Sequence, residues 1–178
     1  MKTDISEILI SEEEIAGRIR ALGAKISEDY KGVRPLLIGI LKGSVIFLSD
    51  LIREIKIPVS IDFMAVSSYR GASSSGVVRI LKDLDYDISG RHVILVEDIL
   101  DSGLTLGYLK NVLGARNLAS LKLCCLLDKP ARHKVDHNVD YLGFTVPNEF
   151  VVGYGLDYEE MYRNLPYIGI LKSEVYEK

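Results

Sequence analysis

Cysteine is scarce in this chain of 178 residues, which contains only Cys124 and Cys125. Two cysteines cannot build a disulfide framework, and no third cysteine stands at the spacing of a metal ligand. The two are neighbours in an apolar run. We therefore expect buried thiols in a protein of the reducing cytoplasm.

The sequence also lacks a long apolar run and an excess of charge of one sign. No stretch approaches the roughly 20 apolar residues of a membrane-spanning helix, and the acidic first residues are unlike a signal or transit peptide. The formal net charge is −3, which gives no electrostatic reason to expect nucleic acid or an anionic membrane as a partner. A phosphorylated ligand would have to be bound by local groups: backbone amides, a few Lys or Arg side chains, and metal ions.

Without repeats or long linkers, the length predicts a single domain over residues 1–178. Helical spacing and a capping-box pattern at Ser11 and Glu14 predict a helix from Ser11 to Tyr30. Beyond it, apolar strands alternate with helices, which favours an α/β fold with a mostly parallel sheet. The predicted strands are residues 36–41, 59–67, 77–81, 93–96, 121–127 and 141–146; the predicted helices are 45–55 and 106–113. The apolar runs at 150–154 and 167–171 are left unassigned.

The most informative stretch follows the predicted strand 93–96, which runs into two adjacent carboxylates, Glu97 and Asp98. Carboxylates at this place could accept hydrogen bonds from a ribose diol or bind magnesium. The turn at 101–105 comes next, where a glycine and two hydroxyl residues precede a helix and suit an anion. It is neither a Walker loop nor a Rossmann fingerprint.

This string resembles the phosphoribosyl pyrophosphate motif of the type I phosphoribosyltransferases. By that resemblance, Glu97 and Asp98 hold the ribose hydroxyls, directly or through Mg²⁺. The residues implied to cradle the 5-phosphate are Asp101, Ser102, Gly103, Leu104 and Thr105. The resemblance also implies the family fold, with a core at about 34–130, a small hood formed by both chain ends, and a homodimer or homotetramer.

Further segments resemble the hypoxanthine-guanine branch of that family. The first is Lys42-Gly43, which in the family binds pyrophosphate after a non-proline cis peptide. The second is Ser67-Ser68-Tyr69 with the Gly/Ser tract behind it, which resembles the catalytic lid.

Two more segments carry the purine site of that branch. Lys129 corresponds to a lysine that donates to the exocyclic oxygen of a 6-oxopurine, and an ammonium group has donors but no acceptor. Phe150 corresponds to the stacking ring, and Val151 reads the base edge with its backbone. Asp157 is placed with the purine-binding residues and also resembles a second magnesium contact, and Arg163 resembles a pyrophosphate contact.

The resemblance thus implies a purine-salvage enzyme. It would transfer the 5-phosphoribosyl group from phosphoribosyl pyrophosphate to hypoxanthine, guanine or both, giving IMP or GMP and pyrophosphate. Asp101 is the candidate general base for N7 of the purine. The metal ligands would be Glu97, Asp98 and Asp157.

Three alternatives remain open. The base could be xanthine or a pyrimidine; the chain could be an RNA-binding regulator built on the same fold, as the pyrimidine-operon attenuation proteins are; or it could be a nucleotide-binding module without catalysis. A metal pair at His133 and His137 is disfavoured, because Pro130 and the surrounding Val and Asn argue against a helix there.

Overall fold

A computed structural model describes residues 1–68, 78–135 and 137–177 of the chain. Its strands and helices follow one another as β1 (Ile5–Ile10), α1 (Glu12–Asp29), β2 (Leu36–Leu41), α2 (Ser44–Glu54), β3 (Ser60–Ser68), β4 (Val78–Lys82), β5 (His92–Leu100), α3 (Leu104–Gly114), β6 (Ser120–Asp128), β7 (Tyr141–Thr145), β8 (Val151–Val152), β9 (Ile168–Leu171) and α4 (Ser173–Tyr176). Short 3₁₀ helices occupy Lys2–Asp4 and Pro130–Arg132. None of the helices in these ranges is both long and apolar enough to cross a bilayer.

Six strands form the main sheet in the order β4-β3-β2-β5-β6-β7. All neighbours are parallel except β4, which pairs antiparallel with β3 at one edge. The predicted mostly parallel sheet is therefore confirmed. Each assigned strand and helix was placed to within a few residues, because buried strands between helices leave apolar runs with clear ends.

Alternate residues of the strands supply the two faces of this sheet. On β5, Ile94 and Val96 pack in the core with α1 and α2, whereas Val93 and Leu95 pack with α3. The same alternation separates the two cysteines of β6, both of which are buried free thiols. The same alternation continues further along β5 and determines to which face of the sheet each of its carboxylates points.

The first helix follows the predicted local rules. Ser11 accepts a hydrogen bond from the backbone of Glu14, and the Glu14 carboxylate accepts one from the backbone of Ser11 at 2.8 Å, so both halves of the capping box are present. Its buried residues are Ile15, Ile19, Leu22, Gly23 and Ile26. This apolar stripe packs on α2 and fixes the helix pair on one face of the sheet.

A second sheet of three strands joins the two ends of the described chain, in the order β1-β9-β8. Ile5 stands opposite Leu171 in the antiparallel pair of β1 with β9. No assignment of β1 follows from the sequence, because its residues lack the apolar alternation of a half-buried strand.

One boundary differs in a way that matters for the site. The sequence predicts that the central strand ends at Val96, but β5 continues to Leu100. Its pairing with β2 stops at Val96, opposite Gly39, while its pairing with β6 runs on to Leu100. The carboxylates of Glu97 and Asp98 therefore lie inside a strand that has lost one neighbour.

Candidate active site

Glu97 and Asp98 point to opposite faces of the sheet, as successive strand residues must. Glu97 faces the α3 side, where it lines a cavity of about 70 Å³ together with residues of the turn 101–105. Its Oε2 atom is buried and has no hydrogen-bond partner among the described residues. Burial raises the pKa of the Glu97 carboxyl well above its usual range, and the neighbouring Asp98 charge adds to this.

Asp98 faces the α2 side and lies against the backbone of Gly43. A Cβ atom at position 43 would overlap the Asp98 carboxylate, so the glycine is required for this approach. Asp98 Oδ1 accepts a hydrogen bond from the Ile99 amide at 3.0 Å. Burial raises the pKa of Asp98 to about 6, while the Ile99 amide and Arg163 oppose the rise and Asp157 adds to it.

The turn at 101–105 leads into α3 as expected for an anion site. Gly103 takes the left-handed conformation, with φ of +78°, at the N-cap of the helix. The first amides of a helix have no intrahelical acceptor and carry partial positive charge. With the cavity in front of it, the turn could hold a phosphate group on these amides and on the hydroxyls of Ser102 and Thr105.

A segment not singled out by the sequence holds this turn from behind. The Ser102 carbonyl accepts from the amide of Lys134 at 2.9 Å, and His137 Nε2 lies 2.6 Å from the Gly103 carbonyl oxygen. A Cβ on Gly103 would overlap the carbonyl of Val135. The turn is therefore packed on its outer side, which presents its inner side to the cavity.

The end of β6 brings Lys129 beside the same turn. The Lys129 amide donates to the Leu100 carbonyl at 3.0 Å, which ties the ends of β5 and β6 together. Burial lowers the pKa of the Lys129 ammonium, and the nearby Asp101 and Glu149 charges oppose that effect. Asp101 itself accepts from Arg132 Nε at 3.1 Å in an exposed ion pair.

On the α2 side, the loop after β2 meets the segment that carries the other predicted anion contacts. The peptide bond between Leu41 and Lys42 is cis, as the family resemblance implies. Lys42 Nζ pairs with Glu160 at 2.8 Å, and Arg163 pairs with Asp157 at 2.7 Å. Asp98 lies near both members of the second pair, because both influence its pKa.

Phe150 presents an aromatic surface at the edge of β8. Its side chain is among the exposed large apolar groups, although one face is covered by the ring of Tyr176, stacked at 4.8 Å between centroids. The ring of Tyr158 meets it edge-on at 5.6 Å. Val151 next to it is buried in the three-stranded sheet.

The predicted lid is described only in part. Ser67 lies in β3 opposite Arg79 of β4, so it belongs to the sheet at the root of the predicted lid. Ser68 closes the same strand. Tyr69 and the Gly/Ser tract after it lie outside the described residues.

Sequence reasoning missed the partners that surround the predicted site residues: Glu160 beside Lys42, Arg132 beside Asp101, and His137 behind the turn. Each is a polar residue outside the α-helices and strands, at a position that no spacing rule relates to its partner. Their roles follow only from the tertiary contacts. The two histidines considered as a metal pair make separate contacts, since His133 lies 2.7 Å from Asp128 and His137 contacts Gly103.

The carboxylates suit a magnesium ion that is shared with a ligand. Among the described residues no group of three or more His, Cys, Asp or Glu could hold a metal alone. Magnesium, however, is commonly held by one or two carboxylates together with phosphate oxygens and water. The acceptor-only groups of Asp98 and Asp157 fit such a site on the α2 side, and the partnerless oxygen of Glu97 fits another on the opposite face of the sheet.

The fold and this site define a class. A sequence family described as the phosphoribosyl transferase domain matches residues 5–159. That range covers both the β5 carboxylates and the turn 101–105, together with the cis-peptide loop and Lys129.

Individual relatives refine the class. The hypoxanthine-guanine phosphoribosyltransferase of Bacillus subtilis is 53% identical and covers 99% of each chain. The structure of a hypoxanthine phosphoribosyltransferase from Staphylococcus aureus superposes with a TM-score of 0.96 at 50% identity, covering 100% of this chain and 97% of that one. The bifunctional protein TilS/HprT of Listeria monocytogenes is 52% identical over the whole chain, which spans only 28% of its length. The chain thus belongs to the phosphoribosyltransferase family, in its hypoxanthine-guanine branch.

The contact between Gly43 and Asp98 leads to a first prediction. Gly43→Ala should displace the Asp98 carboxylate, because the new methyl group would occupy its place while the flexible carboxylate can rotate away. We expect a modest loss of stability but a severe loss of product formation, measured by thermal unfolding and by a nucleotide assay. Gly114→Ala is the matched control, since a Cβ there meets nothing within 4 Å; equal effects of the two substitutions would contradict the argument.

The raised pKa of Asp98 leads to a second prediction, for metal-free protein. In the folded protein Asp98 keeps its proton up to a pH of about 6, whereas the ordinary pKa of an aspartate is 3.8. The contribution of this protonated carboxyl to the free energy of unfolding is therefore full below pH 3.8 and is lost as the pH rises through about 6. Asp98→Asn stays neutral and should be the more stable protein at pH 7.5. The free energy of unfolding of the variant, relative to that of the unsubstituted protein, should rise by about 1 kcal/mol between pH 5 and pH 7.5.

Urea denaturation at the two pH values measures this difference. Glu174→Gln, at an exposed position of α4, serves as the control and should show no such change. An advantage of the Asn variant that does not vary with pH would refute the burial argument.

Proposed function

We propose that this protein transfers the 5-phosphoribosyl group from phosphoribosyl pyrophosphate to hypoxanthine or guanine, giving IMP or GMP and pyrophosphate in purine salvage. The observation that carries the proposal is the open end of β5. There the partly buried carboxylate of Glu97 shares a small cavity with the turn 101–105 at the start of α3, and Lys129 lies beside that turn. Similarity to the enzymes named above supports the same activity.

The sugar phosphate occupies the β5 end in this proposal. The 5-phosphate accepts hydrogen bonds from the amides and hydroxyls of residues 101–105, at the positive end of α3. Glu97 and Asp98 accept from the vicinal ribose hydroxyls, which satisfies the Glu97 oxygen that lacks a partner among the described residues. The two carboxylates on opposite faces of one strand thus bracket the ribose.

The pyrophosphate lies on the α2 side, near Lys42, Gly43 and Arg163. Both cations already pair with carboxylates, but the Lys42 pair with Glu160 is exposed and weak, so the lysine is available to a phosphate. Mg²⁺, when held by Asp98 and Asp157 on the α2 side or by Glu97 on the opposite face, would supply neutralisation of the charge that grows on the departing oxygens. The protein's own task is to hold the sugar so that the bond at C1 opens while its opposite face meets N9 of the base.

The purine lies between the main sheet and the smaller sheet built from both chain ends, which serves as the hood. Lys129 donates to the 6-oxo group, and adenine would place an amino group against that ammonium. An unpaired buried donor costs about 1–3 kcal/mol, which disfavours adenine. Phe150 stacks on the ring through the face that Tyr176 leaves open, and the backbone of Val151 reads the base edge.

Asp101 acts as the general base that removes the N7 proton. In the folded chain its carboxylate pairs with Arg132, an exposed contact that a purine can displace.

We further propose that Ser67, Ser68 and Tyr69 belong to a lid that excludes water from the activated sugar. The enzyme is cytoplasmic and works as a homodimer or homotetramer in this proposal.

A panel of free bases tests the activity directly. Purified protein is given phosphoribosyl pyrophosphate with hypoxanthine, guanine, xanthine or adenine, with and without Mg²⁺, and the nucleotides are separated by chromatography. We expect IMP and GMP only in the presence of Mg²⁺, and little AMP. If neither hypoxanthine nor guanine gives a nucleotide, the proposal is wrong.

The role of Asp101 has its own test. Asp101→Asn keeps the shape and the acceptor oxygen but cannot take a proton, so kcat should fall about 10²-fold or more with little change in the purine KM. Steady-state kinetics measure both. Asp85→Asn is the control, because Asp85 is likewise exposed and paired with a cation, Lys82 at 3.0 Å, but lies outside the site. An unchanged kcat in the Asp101→Asn enzyme would exclude Asp101 as the base.

A further inference from the structure

Two loops of the proposed pyrophosphate site are in direct backbone contact. A Cβ atom on Gly155 would overlap the carbonyl of Gly43, and Gly155 has a positive φ of 101°. The loop that carries Lys42 therefore rests on the segment that carries Asp157 and Arg163. Any change in the spacing of these loops would move the cations and the carboxylate relative to one another.

The second of these loops is a compact unit. The amide of Gly155 donates to the Arg163 carbonyl at 3.0 Å, and Arg163 Nη1 donates back to the Gly155 carbonyl at 2.7 Å. The amide of Tyr154 donates to the Leu165 carbonyl at 2.9 Å. Residues 153–165 thus form one hydrogen-bonded unit, and its position relative to α2 depends on contacts outside the unit.

One side chain of this unit reaches into the helix behind the Lys42 loop. Tyr154 is only 6% exposed, and its backbone has a positive φ of 49°. Its hydroxyl donates to Asp50 Oδ2 at 2.5 Å. Asp50 belongs to α2, which begins at Ser44, directly after Lys42 and Gly43.

The phenol is suited to serve as a permanent donor. Burial and the Asp50 carboxylate both raise the pKa of the Tyr154 hydroxyl above its usual range, so it stays protonated. The other oxygen of Asp50 pairs with Arg53 of the same helix, which holds the carboxylate in place.

We propose that Tyr154 is a positioning residue whose hydrogen bond to Asp50 fixes segment 153–165 on α2 and thereby sets the distance between Lys42 and Arg163 for the pyrophosphate group. This inference deepens the proposed function and rests on it. Neither Tyr154 nor Asp50 touches the reacting atoms. The bond acts mainly on the phosphate half of the site, and the segment meets the purine half through the Tyr158 ring, which lies edge-on to Phe150 at 5.6 Å.

The test compares Tyr154→Phe with Tyr141→Phe. Tyr141 is a matched control, because it too is buried and donates to a carboxylate, Asp29 at 2.9 Å, but it lies in β7 and contacts α1. Tyr154→Phe loses the bond to Asp50, whereas Tyr141→Phe loses the bond to Asp29 and also the one accepted from Lys122 Nζ at 3.4 Å, so the control should lose at least as much stability. Only Tyr154→Phe should raise the KM for phosphoribosyl pyrophosphate, by roughly 3- to 10-fold, with a clearly smaller change in the KM for hypoxanthine.

Variants of the partner sharpen the comparison. Asp50→Asn keeps an acceptor for the phenol and should remain close to the unchanged protein, whereas Asp50→Ala should match Tyr154→Phe. The double variant Asp50→Ala with Tyr154→Phe should be no worse than either single one, since both remove the same bond. Additive effects, or a KM that rises equally for both substrates, would overturn the proposal.

A second measurement does not depend on activity. Hydrogen–deuterium exchange in the protein without substrates should become faster in Tyr154→Phe for peptides covering 42–45 and 155–163, and should remain unchanged there in Tyr141→Phe. Unchanged exchange in both peptides would refute the positioning role. If the unsubstituted protein forms no nucleotide at all, the proposed function fails, while the exchange comparison still decides whether this bond couples the two loops.

Discussion

The site depends on one constraint of strand pairing. The central strand β5 loses its neighbour β2 after Val96 but keeps its neighbour β6 as far as Leu100. A strand paired on one side only is held in register and is also open to a ligand along its free edge. Carboxylates at this edge can be partly buried and still reach a ligand. Without such access, burying an acidic pair would only destabilise the fold.

Absent side chains are as important to this arrangement as present ones. Gly43 makes room for the Asp98 carboxylate, Gly103 for the backbone at Val135, and Gly155 for the carbonyl of Gly43. At each point, backbone or a carboxylate approaches closer than a Cβ would permit. The loops around the site are therefore closely packed on their outer sides, and their inner surfaces face the candidate site.

Local sequence rules predicted the parts of this protein that are governed by local physics. The capping box at Ser11, the apolar stripe of α1 and the buried strands each have a short-range cause, and the structure contains them. The string from Glu97 to Thr105 could also be found, because strand, carboxylates and turn are contiguous. The extension of β5 to Leu100 could not, since it follows from pairing with β6, whose partner residues lie more than twenty positions later.

The same reasoning explains what was missed around the candidate site. Strand β1 lacks an alternating apolar pattern, and only its pairing with β9 makes it a strand. Glu160, Arg132 and His137 acquire their roles from contacts across the fold. The assignment of individual residues to sugar, pyrophosphate and base rests on the family pattern, which encodes these distant contacts where spacing alone does not.

The pairing of β1 with β9 also has a consequence for how the chain is made. Ile5 meets Leu171, so the smaller sheet cannot close until β9 has left the ribosome. Domains otherwise begin to organise from the amino-terminal side during synthesis. The nascent chain can assemble the central strands early, but the smaller sheet, which is proposed to cover the nucleobase, forms only after β9 has emerged. Newly made protein therefore gains this binding surface after the rest of its core.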